Sequence, residues 1–308
     1  MNPAPSIVFF TAASGAGYGL LFWLGLLRAC GWAAEAPPAF GAAAVVLALA
    51  LVTAGLVSSL AHLGNAQRAW RAFSQWRSSW LSREGVAAVL TYAPALLLLA
   101  ALWSGWPVAA AAAGLVAAAG AVATTYCTAM IYASLDTVRE WRHPLVVPGY
   151  FAMAAFTGAA LLAALAALWG APSLLPAALA ALGGMAAVAL KAAYWRAVDA
   201  GLPGPTRESA TSLGGFGRVR PLDPPHTEQN YLLREMGFRV ARKHAARLRG
   251  IALAGGFAAP AVLSLLALAG APAAPLLALG ALLALLGVLV ERWLMFAEAT
   301  HTVMLYYR

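Results

Sequence analysis

Charge is scarce in this chain: Lys, Arg, Asp and Glu make up 10% of its 308 residues, where water-soluble domains carry about a quarter. With 62% hydrophobic residues and a mean hydropathy of +0.77, that scarcity excludes a soluble globular domain and leaves a membrane protein. Cysteine is scarcer still. Cys30 and Cys127 are far apart and lack Cys-x-x-Cys spacing, which argues against a disulfide framework and against a cysteine-held metal or iron–sulfur cluster. None of the five histidines lies in the middle of an apolar run, so neither a haem nor a metal site is expected. No Lys or Arg precedes Arg28, so the charged start of a secretory signal peptide is missing and the first apolar run is expected to stay in the fold.

What is plentiful is apolar length. A spanning helix needs roughly 20 apolar residues to cross about 30 Å of hydrocarbon. Eight runs qualify: 7–27, 40–62, 85–103, 108–132, 148–169, 173–195, 251–270 and 273–290. The expected fold is an all-α integral membrane protein, a bundle of eight transmembrane helices forming one domain over 1–308. Turn signals at 103–107, 170–173 and 270–272 join helices tightly at one side, and the long connections 62–84, 133–147 and 196–250 lie at the other with both termini. Of the 20 basic residues only Arg28 falls on the short-turn side, so the long-loop side is expected to be cytoplasmic, with the N- and C-termini inside, in a bacterial inner membrane. The net charge of +9 is then loop retention rather than a nucleic-acid surface, for which no motif is present.

None of the runs carries a charge at its centre, and Lys191, within about two turns of an end, is expected to snorkel to the surface. That disfavours an ion-coupled transporter and puts the chemistry at the membrane surface. Gly15 and Gly19 have the small-xxx-small spacing of a close helix contact.

The exception to scarcity is HLGNAQRAWRAFSQWRSSWLSREG, residues 62–85, which holds four arginines and three tryptophans. At 100° per residue, Phe73, Trp76 and Trp80 fall within about 60°, and Arg68, Arg71, Gln75, Ser78 and Ser82 span about 80° of the other side. This predicts an interfacial amphipathic helix between helices 2 and 3, with Arg77 out of place among the aromatics. His62 and Glu84 close the two flanking spans; each suits a helix macrodipole, and together they could converge at the mouth of the bundle. A quinone headgroup needs such a setting, an apolar cleft with hydrogen-bond partners and titratable groups.

Ser59-Leu-Ala-His62-Leu-Gly64, Arg68-Ala69, Ser82-Arg83-Glu84 and Tyr132-Ala-Ser-Leu-Asp136-Thr137-Val138 with Trp141 resemble, in order and spacing, the anchor subunits of dimethyl sulfoxide reductase, the DmsC family. The resemblance covers nearly the whole chain. It implies a haem-free anchor exchanging electrons between membrane quinone, ubiquinone or menaquinone, and a ferredoxin-like iron–sulfur subunit, which serves a molybdopterin catalytic subunit. It further implies that His62 and Glu84 serve quinone, with Arg68 matching the motif and Arg77 and Trp80 beside them. The segments GRVRPLDPPHTEQNYLLREMGFRVARKHAARLR and ERWLMFAEATHTVMLYYR are similar to anchors of cytoplasmic quinone-linked sulfite dehydrogenases. Anchors that oxidise quinol for a reductase, a transporter of the same eight-helix architecture, and a purely structural anchor are the alternatives. In the loop 196–250, Arg218, Arg220, Arg239, Arg242 and Lys243 are expected to dock the iron–sulfur subunit while also holding the loop in the cytoplasm.

Overall fold

The computed structural model describes residues 2–61, 64–223 and 240–306. Its spans are α1 Pro5–Ala29, α2 Pro38–Leu60, α3 Trp80–Trp103, α4 Pro107–Ala133, α5 Val146–Leu168 and α6 Leu174–Asp199. The seventh, α7, winds as α-helix over Val240–Gly250, as π-helix over Ile251–Ala258 and as α-helix again over Ala259–Leu268; α8 is Ala273–Ala297. Among the described residues, eight helices are thus long and apolar enough to cross a membrane. Helical backbone is what hydrocarbon demands, because every N–H and C=O must find its partner within the segment. Prolines open α1, α2 and α4, where a missing N–H costs nothing. The tight turns close on glycines with positive φ: 68° at Gly105, 67° at Gly170 and 95° at Gly270.

α1 is the most enclosed helix and packs against α2, α4, α5 and α8. Its glycines make this possible. A Cβ at Gly19 or at Gly158 would run into the backbone of the facing helix, so α1 and α5 touch main chain to main chain. Gly15, by contrast, meets open space; the expected contact runs through Gly17 and Gly19.

The segment after α2 departs from expectation. Ala66–Gln75 is a ten-residue 3₁₀ helix, not an α-helix. With three residues per turn, side chains three apart eclipse. Trp70, Phe73 and Trp76 form one exposed apolar line, Ala69 and Ala72 lie half-buried on another, and Arg68, Arg71 and Ser74 make the third. Continued into the following turn, that third line reaches Arg77, which is therefore in register with the other arginines.

A second departure concerns charge. Lys191 does not snorkel: its side chain is 6% exposed and its Nζ lies 2.5 Å from Glu291, whose other oxygen is 3.3 Å from Arg292 Nε. The apolar run ended at Val290 only because Glu291 is charged, yet α8 continues to Ala297 and buries both Glu291 and Arg292. This cluster alone puts Lys191, Glu291 and Arg292 in the bundle interior.

Candidate functional site at the start of α3

Glu84 sits one turn inside the N-terminus of α3, where the helix presents the positive end of its dipole. The turn leading to it is held by side chains. Ser82 Oγ donates to the Ala72 carbonyl, tying α3 to the 3₁₀ helix, and Arg83 donates to the carbonyls of Trp76 at 3.0 Å and Arg77 at 2.7 Å. The Arg83 guanidinium also lies 4.2 Å from the centre of the Trp80 ring, which meets Tyr126 of α4 edge to face at 5.6 Å. Phe73 packs over Gly85, where a Cβ would sit 3.2 Å from its ring. With one side of α3 covered in this way, Glu84 turns inward and is 4% exposed.

Its partner is on α4. Thr128 Oγ1 donates to Glu84 Oε1 and lies 3.0 Å from the Thr124 carbonyl. Glu84 is thus directed at α4 rather than into the gap between α2 and α3 where the sequence pattern put the cleft. Tyr18 of α1 stands behind that gap, within electrostatic reach of both Glu84 and Tyr92. The gap itself is an exposed seam closed by a 2.6 Å hydrogen bond between Thr53 and Tyr92, and Tyr18, Val52 and Ala121 form a small core under it with Phe22 and Leu56.

The four quinone-site candidates among the described residues separate. Glu84 and Trp80 share the start of α3, one buried and one half-buried. Arg68 and Arg77 face outward, Arg77 over the Trp76 ring at 5.5 Å. His62 lies outside the described residues. Tyr18 and Thr128 carry no charge and sit in apolar runs, so only their hydroxyls distinguished them in the sequence. Among the described residues no cluster of three or more His, Cys, Asp or Glu could hold a metal ion.

At the same end of the bundle, a cleft of about 490 Å³ is lined by Arg139, Glu140, Arg207, Glu208, Arg218 and His301 among others. Its walls are tied together by Arg207 Nε to the Leu305 carbonyl at 2.7 Å, Arg139 to the Pro205 carbonyl, and Thr302 N–H to the Thr137 carbonyl at 2.9 Å. Glu208 accepts from backbone N–H groups, its own and that of Val219, which hold its carboxyl below the usual range. Of the docking candidates, Arg218 and Arg220 are exposed here; Arg242 and Lys243 belong to the first turn of α7, and Arg239 lies outside the described residues.

Residues 1–306 match the family described as "DMSO reductase anchor subunit (DmsC)". The chain is also 32% identical over 341 aligned positions to a sulfite dehydrogenase subunit of Allochromatium vinosum, covering 100% of this chain and 99% of that one.

Proposed function

Since the chain belongs to the DmsC family of reductase anchor subunits, we propose that it joins a ferredoxin-like iron–sulfur subunit to membrane quinone, in a complex whose molybdopterin subunit oxidises sulfite. The name of the Allochromatium relative supports the substrate. In that reaction sulfite and water give sulfate, two protons and two electrons, and the electrons leave through the partner's clusters. A bound quinone takes up two electrons and two protons to become the quinol. The observation that carries this reading is Glu84, a buried carboxyl one turn from the start of α3, hydrogen-bonded by Thr128 beside an aromatic 3₁₀ helix.

The residues suit the task. The exposed seam between α2 and α3 is held by the Thr53–Tyr92 hydrogen bond, so in this reading a ring with an apolar tail enters when that bond opens, and its headgroup meets Tyr18 behind Tyr92, within electrostatic reach of Glu84 on the α4 side. Glu84 holds a proton beside the reacting oxygen and Thr128 orients its carboxyl. Trp80 shares the start of α3 with Glu84, the outward-facing Arg68 and Arg77 are assigned to the approach to the site, and His62 is assigned to it by the family resemblance. Arg218 at the 490 Å³ cleft and the exposed Arg220 near it receive the iron–sulfur subunit on the cytoplasmic side of a bacterial inner membrane, and Arg239, Arg242 and Lys243 are assigned the same role from the sequence.

Substituting Glu84→Gln keeps the shape and removes the proton carrier. The variant complex is expected to oxidise sulfite normally with a soluble artificial acceptor and to lose at least about 99% of its quinone reduction. Quinone reduction at the wild-type rate would sink the assignment.

A further inference from the structure

Between α1, α4, α5 and α8, in the half of the bundle nearest the long connections, lies a narrow cavity with about 10 Å³ open to the centre of a water molecule. That is room for about one water. In a bundle made of Ala and Leu its walls are unusually polar: Thr11, Ser14, Tyr18, Thr128, Tyr150 and Arg292 line it. Two of the wall hydroxyls, Tyr18 at 3% exposure and Tyr150 at 4%, make no hydrogen bond among the described residues. Thr124 lies near the first and Arg292 near the second, but neither closes a bond of ordinary geometry. A buried hydroxyl without a partner costs about 1–3 kcal/mol, so two facing one water-sized space point to a water that serves both.

Each end of the cavity meets a charged group. At one end, Thr128 is also the donor to Glu84. At the other, the Arg292 guanidinium stacks 3.8 Å from the Tyr150 ring centre and leads on to Glu291 and Lys191. Two cations and one anion give this buried cluster a formal charge of +1; a carboxylate at Glu84 brings the set to zero.

We propose that the cavity is a hydrated proton relay to Glu84, with Thr128 as the link, Tyr18 and Tyr150 as its walls, and the Arg292–Glu291–Lys191 cluster as counter-charge. The proposal rests on the quinone reading above. When Glu84 has given its proton to a reduced quinone oxygen, one O–H bond of the cavity water breaks as the proton passes to Thr128 Oγ1. Thr128 in turn releases its own proton to the Glu84 carboxylate and ends unchanged. The water regains a proton from the side of the long connections. While Glu84 is anionic the cluster balances it.

Two measurements on the whole complex test this. In a cryo-electron microscopy map fine enough for ordered solvent, density for a water bonded to Tyr18 and Tyr150 is expected; a dry cavity overturns the relay whether or not quinone is the substrate. In the second, Tyr150→Phe removes one wall hydroxyl and little volume. Quinone binding and turnover with an artificial acceptor should be unchanged, quinone reduction should slow roughly tenfold, and the solvent deuterium isotope effect should rise. Wild-type rates, or a slower variant with an unchanged isotope effect, overturn the proposal. A wild-type complex that binds no short-tailed quinone analogue refutes the quinone reading instead and leaves the solvent map to decide the relay.

Discussion

Glu291 holds two buried cations in place, and the energetic consequence is asymmetric. Removing it leaves Lys191 and Arg292 facing each other's charge inside the bundle; removing Lys191 leaves Glu291 and Arg292 as a neutral pair. Stripping one partner from a buried ion pair costs about 3–5 kcal/mol. Glu291→Leu is therefore expected to lower the thermal midpoint of the purified complex well below that of Lys191→Met, and the reverse order would contradict this account of the cluster. Sequence reasoning singled out Glu84 because, with His62, it brackets the arginine- and tryptophan-rich segment and matches the family motif. It missed Glu291 and Arg292 because an apolar run stops at its first charge, although the stretch Trp293-Leu-Met-Phe-Ala297 after them continues the helix. Tyr18 was invisible for another reason: a phenol inside an apolar run reads as core until its hydroxyl is seen to lack a partner.

Among the elements, the eight spans were legible because length and apolar character are all that a membrane asks of a helix. Which faces meet was not, since glycines are frequent and only some touch another backbone. Gly158 does. Gly158→Leu must push α5 off α1, an overpacking of about 1–3 kcal/mol or more, and is expected to reduce the yield of assembled complex from membranes; a yield equal to the wild type's would contradict this account of the contact. The 3₁₀ helix carried a readable sign as well. Trp70, Phe73 and Trp76 repeat every three residues, as do Arg68, Arg71 and Arg77 with Ser74 between them, a period that testing at 100° blurs. The tighter winding also sets length. At about 2.0 Å per residue its ten residues reach about 20 Å, where an α-helix would need about thirteen.

For the whole molecule, an even number of spans sends both termini to the side of the long connections, and the native thiols can report the orientation. Cys30 is exposed just beyond α1 and Cys127 is buried. In intact cells a membrane-impermeant maleimide is expected to label Cys30 from outside, and labelling only after the cells are opened would invert the topology. The polar groups are distributed unevenly along the membrane normal. Glu84, Thr128, Tyr150, Lys191, Glu291 and Arg292 all lie in the half nearest the long connections, while the tight-turn half is almost entirely apolar. If electrons arrive from a subunit docked on that face and protons reach Glu84 from the same face, no charge traverses the insulating layer during a turnover. The complex then feeds the quinol pool without itself charging the membrane, and any energy conserved from the reaction is recovered by whichever enzyme next oxidises the quinol.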